Sequence, residues 1–134
     1  MGLFGFFKKR KSKLSREQKK WNKMWDLWAE NRADTPYAEV MTYQSEVNNG
    51  GHDQYFLNVG QTGDLQAEIL ILENVLSEEL RSNLLTAYDA YQMLADKESD
   101  EEWEAILERC DNVFFKNEEE INRILKEYAS KIEL

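Results

Sequence analysis

From Asp64 to Leu134 the chain runs for 71 residues with neither glycine nor proline, and it is rich in Leu, Glu, Ala and Lys. A stretch of helix formers with no breaker reads as helices joined by short polar turns. Four helices fit it. Asp64 to Leu76 carries Ile69-Leu70-Ile71-Leu72, apolar all round, as expected of a central buried helix. Ser77 caps the next, with a stripe of Leu80, Leu84, Ala87, Tyr91 and Leu94. Ser99 and Glu102 form a capping box before a helix that buries Trp103, Ile106, Leu107 and Cys110. Asn117 and Glu120 are a weaker cap pair for the last helix, which packs Ile121, Ile124, Leu125, Tyr128 and Ile132.

Three more helices are expected upstream. Ser15 and Gln18 make a capping box, and Trp21, Met24, Trp25 and Trp28 recur at i, i+3, i+4 and i+7 along a helix to about Arg32. Such an aromatic stripe reads as core or as the seam of a homodimer, ahead of a ligand face. Thr35 is a good N-cap with Pro36 at the first helical position, opening a helix that buries Tyr37, Val40, Met41, Tyr43 and Val47. Gly50 and Gly51 end it, since a left-handed terminal residue is cheapest as glycine. A short helix from Asp53 to Val59 follows, with Asp53 as cap and Tyr55, Phe56 and Val59 inward, and Gly60-Gln61-Thr62-Gly63 reads as a loop. Continuous strand-period alternation appears nowhere. The expectation is an all-α domain of about seven helices over residues 15–134, preceded by a tail.

Charge divides the chain more sharply than its formal net value of −9 suggests. Residues 1–20 carry a net +7 and residues 21–134 a net −16. Free nucleic acid is therefore an unsuitable ligand for the acidic part, because phosphate binding needs clustered cations. The tail, residues 1–14, places Leu3, Phe4, Phe6 and Phe7 before a basic run at Lys8, Lys9, Arg10, Lys11 and Lys13. A secretory signal has the opposite order, and Phe6 stands where a myristoylation signal needs Ser or Thr. Two readings stand: a solubilising tail, or a weak, salt-sensitive contact with anionic membrane. No apolar stretch approaches a membrane span, and a single cysteine, Cys110, suits a reducing cytoplasm, with peripheral attachment to the inner membrane as the variant the tail allows.

Catalytic patterns are sparse. One His and one Cys lie 58 positions apart, short of a metal-ligand set, and neither a phosphate loop, a GxSxG elbow nor a CxxC pair occurs. No metal, no cofactor and no enzymatic activity are expected. Glu46, His52, Asp53 and Tyr55 around the double glycine contain a potential general base, but no nucleophile or oxyanion partner completes it.

The segment from Tyr43 to Asn58, YQSEVNNGGHDQYFLN, resembles the E-x-N-G-G-aromatic-x-Q-aromatic-aromatic-x-N signature of a bacterial family of small helical proteins named for a DNA-mimic protein. Glu46, Asn49, Gly50, Gly51, Gln54, Tyr55, Phe56 and Asn58 carry the likeness. His52 departs from it, standing where the family pattern has an aromatic or apolar residue. The likeness extends over residues 35–132. It implies an all-α domain and, after the family's namesake, binding to a DNA-binding protein in place of DNA. The residues themselves have an architectural reading, in which Glu46, Gln54 and Asn58 satisfy free backbone groups at a tight corner. A small pocket lined by them and by His52 is the alternative.

Helical carboxylates at i, i+3 and i+4 lie about 5–6 Å apart, so aligned helices can approximate rows of phosphates. The candidates are Asp96, Glu98, Asp100, Glu101, Glu102, Glu104 and Glu108, then Glu118, Glu119 and Glu120. The leading expectation is a non-enzymatic interaction protein whose acidic surface binds a basic, nucleic-acid-binding protein. An immunity-type protein neutralising a basic toxin has the same surface requirement. A small-molecule or enzymatic domain centred on the Glu46–Asn58 corner is the reading from another class.

Overall fold

The computed structural model describes residues 14–96 and 100–134, with side chains as far as 94 and again from 100. The expectations on the tail to residue 13, on Ser99 as a cap and on Glu98 lie outside the described residues. What is described is all-α, with six helices and no strand. They are α1 (Arg16–Ala29), α2 (Tyr37–Thr62), α3 (Leu65–Val75), α4 (Glu78–Asp96), α5 (Glu101–Lys116) and α6 (Glu118–Ser130).

The count falls one short of the seven expected because two predicted helices form a single element. Helix α2 runs through Gly50 and Gly51, where the backbone leaves helical geometry (φ −157°, ψ 18° and φ 82°, ψ 180°) and resumes it without a loop. The expected loop at Gly60–Thr62 is also helical, and only Gly63 stands beyond the end as C-cap. Gly60 lacks the turn partners that would stop the helix, and Val59, buried on the inner face, holds that stretch down.

Caps decide where the other helices begin, and several differ from expectation. Ser15 accepts the Gln18 N–H as expected, but the Gln18 side chain donates to Asn22 rather than back to the cap. Thr35 caps no N–H; its hydroxyl donates to Glu39 Oε2 at 3.3 Å, and Pro36 takes the cap position without a side-chain bond. Asp64 caps α3 through the Ala67 N–H. Asp100 caps α5 by accepting from the Glu102 N–H, one residue beyond the predicted Ser99, because a carboxylate suits a free helix N-terminus at least as well as a hydroxyl. The Asn117 amide donates to Val113 C=O and Glu79 instead of capping α6.

The chain divides into two compact units. One comprises Asp34–Leu125 and the other the described residues to Ala33 with Lys126–Leu134. In the larger unit α2 packs against α3, α4 and α5, and α4 lies along α5. Its core takes Val40, Met41, Tyr43, Val47, Tyr55, Phe56 and Val59 from α2, which meet Leu72, Leu80, Leu84, Leu107, Phe114 and Ile121 from the other helices. Rings knit the centre: Tyr43 stands edge-on to Tyr55 and Phe114 at 5.1 and 5.3 Å, and Phe56 contacts Tyr88 and Tyr91. Helix α3 is not the central buried helix expected. Ile69 and Leu72 face inward while Leu70 is 60% exposed, so its apolar run covers one side of α2 and leaves the other to solvent. In the smaller unit Lys20 Nζ donates to the Ser130 carbonyl at 2.8 Å, Met24 is fully buried, and Trp21, Trp25 and Trp28 are half-buried in an edge-to-face stack.

Candidate functional site

The corner in α2 begins with backbone. Gly51 has φ 82° and ψ 180°, a conformation open essentially to glycine alone. A Cβ there would also meet Asp111 Oδ2 at 2.6 Å. At Gly50 the added carbon would run into the Gln54 side chain. Two close approaches in successive residues thus require the double glycine.

On one side of the corner Gln54 and Asn58 donate their amide N–H groups to Glu46 Oε2, at 3.0 and 2.7 Å. These three residues therefore bind one another across the bend, and the expected backbone satisfaction falls to others. The Asp53 carboxylate accepts only the neighbouring Gln54 N–H, and Asp111 of α5 accepts the N–H of His52. Asn49 is exposed. The neighbouring Asn48 amide donates to Glu118 Oε2, as does Gln44, which also reaches Asn122.

On the buried side, His52 has no solvent exposure and lies between two partners. Its Nδ1 is 2.6 Å from Asp111 Oδ1 and its Nε2 is 2.6 Å from the Tyr43 hydroxyl. A carboxylate only accepts, so Nδ1 carries the proton towards Asp111, and the Tyr43 O–H donates to Nε2. Burial, reinforced by Tyr55, Cys110 and Asp111, holds the Tyr43 phenol well above its usual pKa, so it keeps the proton it donates. A polar ring thus stands in the core because Tyr43 and Asp111 satisfy both of its nitrogens.

The constellation expected around the glycines does not assemble. Glu46 is held by Gln54 and Asn58, Asp53 by the Gln54 N–H, and the Tyr55 ring lies in the core. Asp111 is the residue the sequence did not offer. Nothing marks it locally, 59 positions from His52; the only signal was that a histidine on an apolar face needs two partners from elsewhere. A Tyr–His–Asp line can relay or hold a proton; His52 itself is sealed, and the line meets solvent at its Asp111 end, where the side chain is 24% exposed. Grooves of about 620 Å³ by Arg16, Trp21 and Ser130, and about 480 Å³ by Met93, Trp103 and Ile106, are lined by no residue of the corner.

A second buried polar group lies where α2 meets α3. The Tyr55 hydroxyl and Glu39 Oε1 are buried without a hydrogen-bond partner among the described residues. Burial and then the adjacent Glu68 and Glu39 carboxylates raise the Tyr55 pKa, while burial and Glu39 raise that of Glu68. Cys110 is a buried thiol pushed up to about 11, by burial first and by Asp111 next, with Arg109 opposing. Among the described residues no group of three or more His, Cys, Asp or Glu side chains converges as a metal site would require.

The acidic candidates separate by what holds them. Asp100 is an N-cap, Glu118 accepts from Gln44 and Asn48, and Glu120 accepts from the Ser77 hydroxyl at 2.6 Å. Asp96 ends α4, its side chain outside the described set. Glu101, Glu102, Glu104, Glu108 and Glu119 are exposed, and none forms an ion pair among the described residues. Glu101, Glu104 and Glu108 fall within about 60° of arc on α5, centred about 120° round the helix from buried Leu107, Cys110 and Phe114.

Residues 29–132 match the family described as DMP19-like protein. No curated protein and no solved structure matches the chain.

Proposed function

The chain belongs to the DMP19-like protein family, and from that membership we propose that it is a non-enzymatic interaction protein that binds a basic, DNA-binding protein in place of DNA. The row of Glu101, Glu104 and Glu108 carries this reading. These carboxylates stand on the outer face of α5 with no cation in ion-pair reach among the described residues. They span about 10 Å of helix axis, a spacing of about 5 Å per charge against about 3.4 Å along one DNA strand. A partner that has evolved lysines and arginines to track phosphates meets a similar file of anions, and the long-range field speeds the encounter. The sealed environment of His52 supports a scaffold role for the corner. Binding of a nucleic-acid-binding protein places the encounter in the cytoplasm.

Immobilised protein exposed to a lysate at low salt tests the reading. The expected result is capture of DNA-binding proteins that duplex DNA or added salt releases. Captured proteins indifferent to duplex DNA and to salt would overturn it. A captured nuclease whose activity is inhibited would assign the same surface to immunity instead.

A further inference from the structure

Charge is divided between the two compact units. Residues 34–125 hold 21 acidic and five basic side chains, net −16. The described part of the smaller unit, 14–33 with 126–134, holds seven basic and five acidic ones, net +2. Its cations gather on one helix, where Arg16, Lys19, Lys20 and Lys23 occupy i, i+3, i+4 and i+7 of α1 and form a stripe. Lys20 is held by the Ser130 carbonyl. Arg16 and Lys19 are exposed and Lys23 half-exposed, with no carboxylate in ion-pair distance among the described residues. These three repeat the i, i+3, i+7 spacing of Glu101, Glu104 and Glu108 on α5, so both stripes span about 10 Å of helix axis. Each stripe continues into an apolar side chain on its own face. Leu27, half-buried, follows Lys23 by four residues, and Phe115, 46% exposed, follows Glu108 by seven. Helix α1 lies almost wholly ahead of residue 29, so its stripe falls outside the stretch that carries the family match.

We propose that the α1 stripe of one copy docks on the α5 row of a second copy of this chain. One chain carries two surfaces of opposite charge and equal spacing, and each complements the other. With the two helices side by side in the same direction, Arg16 meets Glu101, Lys19 meets Glu104 and Lys23 meets Glu108, and Phe115 falls within one turn of Leu27. The apolar contact sets the direction, because the reversed alignment carries Phe115 past the start of α1. The contact joins two different surfaces, so each copy brings one of each. An exposed ion pair strengthens association at most about five-fold, and three give about a hundred-fold, a reversible contact that forms in concentrated protein. At physiological salt, charges beyond about 8 Å are screened, so the net −9 of each copy does not cancel pairs made at contact. Assembly covers the carboxylates used by the proposed function without depending on that function. A second copy and a basic DNA-binding protein compete for one row.

Sedimentation equilibrium of the full chain over a wide concentration range tests this. The chain is expected to associate reversibly at moderate salt and to dissociate at high salt. Lys19→Glu with Lys23→Glu should weaken association at least about twenty-five-fold, as should Glu104→Lys with Glu108→Lys, both with helicity by circular dichroism unchanged. Equal amounts of the two variants, mixed, should associate again, because the acidic stripe of one now meets the basic row of the other. A merely structural effect of the substitutions gives no such rescue. Phe115→Ser should weaken association with every charge retained. A wild-type chain that stays monomeric throughout, association indifferent to either charge pair or to Phe115, or a folded mixture that stays monomeric would each overturn the proposal. Tight binding of duplex DNA by a chain that stays monomeric would assign the stripe to nucleic acid and overturn it too. Capture of DNA-binding proteins is read separately on dilute, immobilised protein, so either reading can fail without the other.

Discussion

Asp111 Oδ1 accepts twice from one residue, taking the His52 backbone N–H at 2.9 Å and facing its ring Nδ1 at 2.6 Å. One carboxylate oxygen on α5 thereby fixes both the start of the second half of α2 and the orientation of a sealed imidazole. Removing it leaves a buried donor on a core ring. Asp111→Ala should therefore destabilise by about 3 kcal/mol, and Asp111→Asn, which keeps one oxygen, by about half of that. Urea unfolding of the two variants beside wild type measures the difference.

Gly51→Ala combines a positive φ with a Cβ that would meet the Asp111 carboxylate at 2.6 Å, so it should cost more than about 2 kcal/mol. Gly50→Ala displaces the Gln54 side chain, meeting its Cβ at 3.0 Å as well as its amide, at ordinary φ, and should cost about 1 kcal/mol, mostly through the lost Gln54–Glu46 bond. Equal losses at the two glycines in thermal unfolding would contradict this account.

The carboxyl of Glu68 is raised by burial and by Glu39. Its folded pKa lies above its unfolded one, so its protonated form favours folding, and that contribution fades as pH rises through the folded value. Glu68→Gln mimics the protonated form. It should raise the melting temperature at neutral pH by a few degrees at most, since the group is half-exposed, and the gain should vanish in acid. A melting series across pH for both proteins gives the crossover.

Cys110 is buried, with a thiol pushed up to about 11. Little thiolate forms at mildly alkaline pH, so an aromatic disulfide reagent should react slowly with the native protein and rapidly in urea. Fast labelling of the folded chain would show that α5 opens.

Glu101→Gln, Glu104→Gln and Glu108→Gln together should cost no more than about 1–2 kcal/mol in unfolding, since these side chains make no ion pair among the described residues and only Glu101 and Glu104 act on the α5 N-terminus. On the proposed function, the same triple variant loses capture of DNA-binding proteins at low salt.

The all-α class was legible because periodicity and the absence of breakers act locally. Leu80, Leu84, Leu107, Ile121 and Leu125 stand where their spacing predicts. Helix starts were less legible. Asp100 and Ser99 are both good caps, and the choice between them depends on how α4 turns into α5. The break at Gly50–Gly51 was readable, its shape was not: two glycines announce unusual backbone, but only packing decides between a loop and a kink. The site was least legible. Glu46, Gln54 and Asn58 bond through a bend whose angle no local rule gives, and Asp111 reaches His52 from an independent helix. Leu70 shows the opposite failure, an apolar residue in an apolar run that nonetheless faces solvent, since among the described residues helix α3 buries only the side that carries Ile69 and Leu72.

The loopless bend in α2 has a consequence for how the chain can change over time. Each residue of a helix advances the azimuth by about 100°. One residue inserted at Gly50–Gly51 would swing Tyr55, Phe56 and Val59 out of the core, and one deleted would swing them the other way. An ordinary surface loop absorbs such a change in its slack; this corner has none. The spacing from Glu46 to Asn58 is therefore constrained in length as strictly as in composition, and insertions or deletions should be found in the connections that flank α2 rather than within it.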